Sequence, residues 1–186
     1  MTINRRFLML ALAGLPAACA SPSPNQYVLG VRPGTIRRGA PTSIVVRPIS
    51  LARYLERPEI VRSVAGYRVE QLPNDWWGEP LDAMILRVLV EELSERLPES
   101  TVVADTGAIT PKSDVAVEVN LQRMDLDEAG TLDLAAQIAV DAQTVRSTGV
   151  ALSVKPLSDG TSALVAAMSV AVGQLADAIA LLLVQR

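Results

Sequence analysis

The strongest constraint on the fold is a pair of segments in the second half of the chain in which apolar and polar residues alternate. Val115, Val117, Val119 and Leu121 are separated by single polar or small residues, and the stretch 132–140 repeats this pattern. A period of two places the apolar side chains on one face of a strand and the polar side chains on the other. The acidic DEAG stretch between the two segments is typical of a hairpin turn. We therefore predict an antiparallel meander with one buried face.

Two segments with helical periodicity flank this meander. Apolar residues recur every three or four positions from Leu81 to Leu97, between Pro80 and Pro98, and again within the stretch 161–184. A proline is tolerated in the first turn of a helix but ends a helix that precedes it. Because the outer face of the meander is polar, we expect both helices to pack on its other face. The predicted fold is an α/β single-domain sandwich, with a mixed and largely antiparallel sheet and two long helices packed on one side.

Shorter β signals complete the predicted sheet. These stretches are rich in β-branched, aromatic and other apolar residues and are bounded by Gly, Pro or polar residues. They lie at 27–31, 43–47, 60–64, 67–72, 101–104 and, as the third strand of the meander, 150–154.

The amino terminus has the layout of a secretory signal. Arg5 and Arg6 precede the apolar run 7–15, which ends in small residues. This run is too short to span a bilayer, which takes about 20 apolar residues. Cys19, the only cysteine of the chain, follows it. We predict a signal peptide at 1–18, a lipidated tether at 19–26 and one domain at 27–186.

The composition argues against catalysis, metal binding and nucleic-acid binding. The chain has no His and a single Cys, which excludes Ser-His-Asp and Cys-His arrangements and an internal disulfide. The stretch that begins at Asp125 resembles the start of a calcium loop, but Ala129 and Ala136 occupy ligand positions. The net charge of −3 disfavours a nucleic-acid partner. We expect neither an enzyme nor a bound metal or cofactor.

Candidate contact residues are concentrated in the first half of the chain. Residues 30–70 contain eight Arg and three acidic residues. This surface is either an ordinary solvated one, or one that binds phosphate groups or an acidic partner through the guanidinium fork. Of the Trp pair at 76–77, one ring is expected to pack on the start of the following helix, and the other can anchor a partner. The candidates are Arg37, Arg38, Arg53, Arg57, Arg62 and Trp76.

Several stretches of the chain together resemble a known family. They are 27–29, 54–62 (YLERPEIVR), 77–81 (WGEPL), 163–167 and 175–180. From residue 27 to residue 183 the chain is similar to the ABC-type transport auxiliary lipoproteins, the family of PqiC. The motif residues, expected to be structural or to serve docking, are Tyr54, Leu55, Arg57, Pro58, Ile60, Val61, Trp77 and Pro80.

The resemblance implies an outer-membrane lipoprotein that faces the periplasm and carries its lipid on Cys19. Its implied partners are an MCE-domain protein that spans the envelope and an inner-membrane ABC or Pqi-type transporter, which together move phospholipid or other hydrophobic molecules. The chain is then a docking component and not a catalyst. It also implies a mixed-sheet fold with two main helices. Whether the chain forms a homo-oligomer stays open.

The sequence leaves two alternatives open. Pro16 stands where a lipoprotein signal normally has Leu, so ordinary cleavage after Ala20 would leave a soluble periplasmic protein. Ala20, where an Asp retains many lipoproteins in the inner membrane, favours the outer membrane.

The alternative to docking is a module that itself holds a lipid or an anionic ligand against its Arg-rich half.

Overall fold

The computed structural model describes residues 23–64, 68–107, 112–142 and 144–185. The predicted signal peptide, Cys19 and Tyr67 lie outside these residues. The described strands are β1 (Asn25–Tyr27), β2 (Ser43–Val46), β3 (Ser50–Leu51), β4 (Glu59–Val64), β5 (Arg68–Trp77), β6 (Thr101–Ala104), β7 (Val115–Leu126), β8 (Leu132–Asp141) and β9 (Val145–Val154). The described helices are α1 (Leu81–Arg96) and α2 (Thr161–Val184).

The larger sheet is built around the predicted meander. Its order in the described chain is β6-β2-β7-β8-β9, with the short β3 also paired to β7. β2 runs parallel to β6 and β7, whereas β7, β8 and β9 pair in antiparallel fashion. In β8, Leu132, Leu134, Ala136, Ile138 and Val140 are buried and the residues between them are more exposed. The predicted meander with one buried face is confirmed.

A second, smaller sheet is formed by β1, β5 and β4, where the sequence predicted a single sheet. β4 and β5 form an antiparallel hairpin, and β1 lies parallel to the end of β5. β5 extends beyond its predicted end at residue 72, because Pro73 lies where the register with β4 shifts and no ladder N–H is needed from it. Trp76 and Trp77 therefore end a strand. β1 ends at Tyr27, because the chain from Val28 onward leaves the sheet and follows the helices.

Both helices pack on the buried side of the larger sheet. α1 begins after Pro80 and ends before Leu97 and Pro98, as predicted. α2 is long and apolar enough to cross a membrane by length and composition alone, but most of it is buried against α1, β8 and β9. It therefore serves as a core helix. The predicted α/β sandwich with two long helices is confirmed.

Candidate functional site

The motif stretch that begins at Tyr54 is held on the larger sheet by a buried carboxylate. Tyr54 belongs to a single 3-10 turn, and its hydroxyl donates to Asp125 Oδ2 at 2.5 Å. Asp125 is almost fully buried and also accepts hydrogen bonds from Ser63 and Arg123. Burial, followed by the hydrogen bond to Asp125, raises the pKa of Tyr54 far above its ordinary value. Tyr54 is thus an uncharged structural anchor for the motif stretch.

The two main motif stretches meet at one cleft with a volume of about 940 Å³. The N–H of Trp77 donates to the carbonyl of Pro58 at 2.7 Å, which joins the end of β5 to the first stretch. Four predicted motif residues line the cleft: Arg57, Pro58, Trp77 and Pro80. The other four are buried or half-buried in the adjoining elements: Tyr54, Leu55, Ile60 and Val61. The cleft is also lined by Ile49, Ser50, Leu51, Glu56, Gly78, Glu79, Leu81 and Asp82.

The two Trp residues have different environments. Trp77 is 7% exposed and belongs to the core together with Leu81, the first residue of α1. Trp76 is half-buried, and its Nε1 donates to the carbonyl of Pro73 at 3.2 Å. Its role as a partner anchor stays a prediction.

The candidate Arg residues do not come together in one patch. Arg37 and Arg38 lie at the carboxyl end of α1, where the N–H of Arg37 donates to the carbonyl of Arg96. Arg57 lines the cleft at the other end of this 16-residue helix, about 24 Å away. Arg53 is exposed on the turn before the cleft. Two of the candidates form exposed ion pairs, Arg38 with Glu99 and Arg62 with Glu70, which contribute little to stability.

An extended segment, residues 28–38 and here named the strap, lies between the two helices. Four of its backbone N–H groups donate to side chains of α1 and α2, and that of Arg37 donates to the backbone carbonyl of Arg96. The bonds run from Leu29 to Met84 Sδ, from Gly30 to Ser169 Oγ, from Arg32 to Glu92 Oε1 and from Thr35 to Asp177 Oδ1. Contacts advance toward the carboxyl ends of both helices as the strap advances. The strap and the two helices are therefore parallel.

Arg96 fastens the strap at its far end. Its side chain is 1% exposed and makes four hydrogen bonds. Nε donates to Asp177 at 2.7 Å, Nη1 to the carbonyls of Arg32 and Glu92, and Nη2 to the carbonyl of Gly173. One guanidinium thereby joins the strap, α1 and α2.

Glu92, Arg96 and Asp177 were not among the candidates predicted from the sequence. A signal for the first two was present, because they continue the apolar stripe of Ile85 and Leu89 at helical spacing. A charged residue at a core position of a helix is paired or hydrogen-bonded when the helix is buried.

Comparison of the sequence with known protein families identifies the family of this chain. The model for the ABC-type transport auxiliary lipoprotein component matches residues 27–180. The chain belongs to this family. The match includes the strap, α1, most of α2 and the two main motif stretches, so the predicted family resemblance is confirmed.

Solved structures share the fold of this family member. One, a crystal structure of an uncharacterized protein, matches with a TM-score of 0.74 and 19% identity over 86% of this chain and 97% of that chain. Another, a Xanthomonas campestris protein of family DUF330, has a TM-score of 0.72 and 19% identity over 86% and 95% of the two chains. Likeness at this identity shows the fold alone. No curated protein matches the chain significantly.

The close approach of the strap to Arg96 in this auxiliary lipoprotein gives a testable prediction. A Cβ added at Gly34 would lie 2.2 Å from Arg96 Cζ. The Arg96 guanidinium is held by four hydrogen bonds, which oppose its displacement. We expect Gly34→Ala to lower the free energy of unfolding by about 1–3 kcal/mol, measured by urea denaturation.

Gly30 in the same strap supplies the control. A Cβ there meets no atom within 4 Å. Gly30→Ala should leave stability unchanged or raise it by up to about 1 kcal/mol, because alanine restricts the unfolded chain. Equal effects of the two substitutions would show that the guanidinium does not hold the strap closely.

Proposed function

We propose that this chain is a periplasm-facing outer-membrane lipoprotein that docks an MCE-domain envelope-spanning protein and its inner-membrane ABC-type transporter. The observation that carries the proposal is that two of the stretches that resemble this family, 54–62 and 77–81, meet at one cleft. A motif used only for folding would not need to line a solvent-accessible cleft. The proposed role is docking and not catalysis, in keeping with a chain that has no His, the commonest general base.

The position of the predicted anchor supports this proposal. β1 begins six residues after Cys19, a length that reaches about 20 Å when extended. The carbonyl of Tyr27, at the end of β1, accepts a hydrogen bond from the N–H of Gly78, which lines the cleft. Acyl chains on Cys19 would therefore hold the cleft close to the membrane surface, each buried CH₂ adding about 0.8 kcal/mol of membrane affinity.

A second candidate function is favoured by the size of the cleft. Small-molecule sites commonly have volumes of about 300–1,000 Å³ and are largely apolar. Ile49, Leu51, Trp77 and Leu81 supply apolar surface here. The chain would then hold a lipid itself, without a stable protein partner.

One purification separates the two functions. The full chain, tagged at its carboxyl end, is extracted with mild detergent from membranes of cells that contain its transport system. We expect the MCE-domain protein and the transporter subunits to co-purify, and Cys19→Ala to move the chain into the soluble fraction. Stoichiometric phospholipid on a chain that purifies without these proteins would favour the carrier function and end the docking proposal.

A further inference from the structure

The cleft continues into a neighbouring depression and forms a longer groove beside the start of α1. The second depression has a volume of about 390 Å³ and is lined by Pro48, Ala83, Leu86 and Asp105 among others. Ile49 and Asp82 line both depressions, so the two adjoin at these residues. We name the combined feature the α1 groove.

The floor and walls of the α1 groove are apolar and stiff. Ile49 is 6% exposed, and Trp77 and Leu81 are also buried. Pro48, Pro58 and Pro80 line it as well, and their fixed backbone angles limit the number of conformations available to the wall. A surface that is already ordered loses little entropy when it binds a partner.

The rim of the α1 groove carries an excess of negative charge. Glu79 is neutralised by Arg87 at 2.7 Å. Within the described chain no Lys or Arg forms an ion pair with Glu56, Asp82 or Asp105. Among the described residues that line the groove, Arg57 is the one cation that is not paired with Glu79 and that faces these three carboxylates. Asp82, in the first turn of α1, also offsets the positive end of the helix dipole.

This charge pattern favours a basic ligand over an anionic one. The phosphate of a lipid headgroup would be repelled by the rim, whereas Lys or Arg side chains would be attracted to it. An apolar floor with an acidic rim fits a polypeptide segment that combines apolar and basic residues. We propose that the α1 groove binds such a segment, contributed by a protein partner of the transport system. The identity of that partner rests on the docking function proposed above.

Charge reversal at the groove tests the proposal directly. The Cys19→Ala chain, which carries no acyl anchor and needs no detergent, is titrated with a labelled peptide of alternating Leu and Lys, with a matched peptide of alternating Leu and Glu, and with vesicles of phosphatidylglycerol. We expect the Leu-Lys peptide to bind about tenfold more tightly than the Leu-Glu peptide at low salt, with a smaller difference at high salt. Asp82→Lys and Glu56→Lys should each weaken binding of the Leu-Lys peptide several-fold.

Glu91→Lys is the matched control on the same helix. Glu91 is exposed, and it lies about two and a half turns beyond Asp82 and so on the opposite side of α1. It changes the net charge by the same amount and should leave peptide binding unchanged. Binding that ignores the sign of the peptide, equal losses in all three variants, or stronger binding to the anionic vesicles would each overturn the proposal.

The same variants in the co-purification experiment separate this inference from the docking function. If the wild-type chain brings its partner and the double variant Asp82→Lys/Glu56→Lys does so equally well, docking stands and the α1 groove is not its site. If the wild-type chain brings no partner, docking fails. The peptide titration still decides whether the groove prefers basic segments.

Discussion

Replacing Arg96 with Met should lower the free energy of unfolding by about 3–4 kcal/mol. Met fills a similar volume but donates no hydrogen bond. The carbonyls of Arg32, Glu92 and Gly173 would lose a donor in a place that little water reaches, and Asp177 would lose its cation. We therefore expect the largest loss of any single charge removal discussed here.

The loss should also be local to the strap. Amide hydrogen exchange of Arg32, Thr35 and Arg37 reports the strap directly, because their N–H groups donate to Glu92, to Asp177 and to the carbonyl of Arg96. In Arg96→Met these amides should exchange faster before the larger sheet does. Urea denaturation gives the global effect and exchange gives the local one.

Arg87→Met provides the control in the same helix. Arg87 is exposed and forms an ion pair with Glu79 at 2.7 Å. An exposed pair of this kind contributes at most about 1 kcal/mol. If both variants lost the same stability, the buried network around Arg96 would not be what fastens the strap.

The periodic parts of the fold could be predicted from the sequence, and the strap could not. Strict alternation predicted β7 and β8, and helical spacing between Pro80 and Pro98 predicted α1, because one face of each element must be buried. The start of the strap was predicted to be part of a strand at 27–31, and this was wrong, because its N–H groups bond to groups of α1 and α2 that lie far along the chain and leave no periodic signal in the sequence. Only the folded structure shows that Gly30 meets Ser169, 139 residues away.

For a similar reason, the sequence identified residues that line the cleft but placed the Arg residues wrongly on one surface. The family stretches identified residues that line the cleft, among them Arg57 and Trp77. Counting Arg along the chain suggested one basic surface, yet Arg38 and Arg57 lie at opposite ends of α1. The two residues are separated because the chain between them runs through the strands β2 and β3. Of the acidic residues on the groove rim, Glu56 was part of the count over residues 30–70, whereas Asp82 comes from α1 and Asp105 from the segment after β6, which the count did not include.

The second large effect expected is a dependence of stability on pH that is caused by Glu92. Its side chain is fully buried, Oε1 accepts the N–H of Arg32 at 2.7 Å, and Oε2 has no partner among the described residues. Burial raises the pKa of Glu92 from 4.5 to about 7, although the Arg32 N–H and the charge of Arg96 oppose this rise. Asp177 and Glu95 also favour the protonated form.

The direction of the effect follows from this raised pKa. Between pH 4.5 and about 7 the folded chain holds a proton on Glu92 that the unfolded chain releases. Folding is therefore favoured at the acidic end of this window, and this contribution is lost as the pH rises through the pKa of the folded state. One pKa unit corresponds to about 1.4 kcal/mol, so the full loss amounts to about 3 kcal/mol.

Glu92→Gln keeps an acceptor for the Arg32 N–H and removes the titration. We expect the variant and the wild type to have nearly equal stability near pH 4.5, and the variant to be more stable at pH 8 by up to about 3 kcal/mol. Other groups titrate equally in both proteins, so the difference between their urea midpoints isolates Glu92. The exposed neighbour Glu91, replaced by Gln, is the control for the removal of one acidic side chain from the same helix. A difference for Glu92→Gln that stays flat with pH would mean that Glu92 is ionised in the folded chain at pH 5, and that the strap binds a carboxylate and not a carboxylic acid.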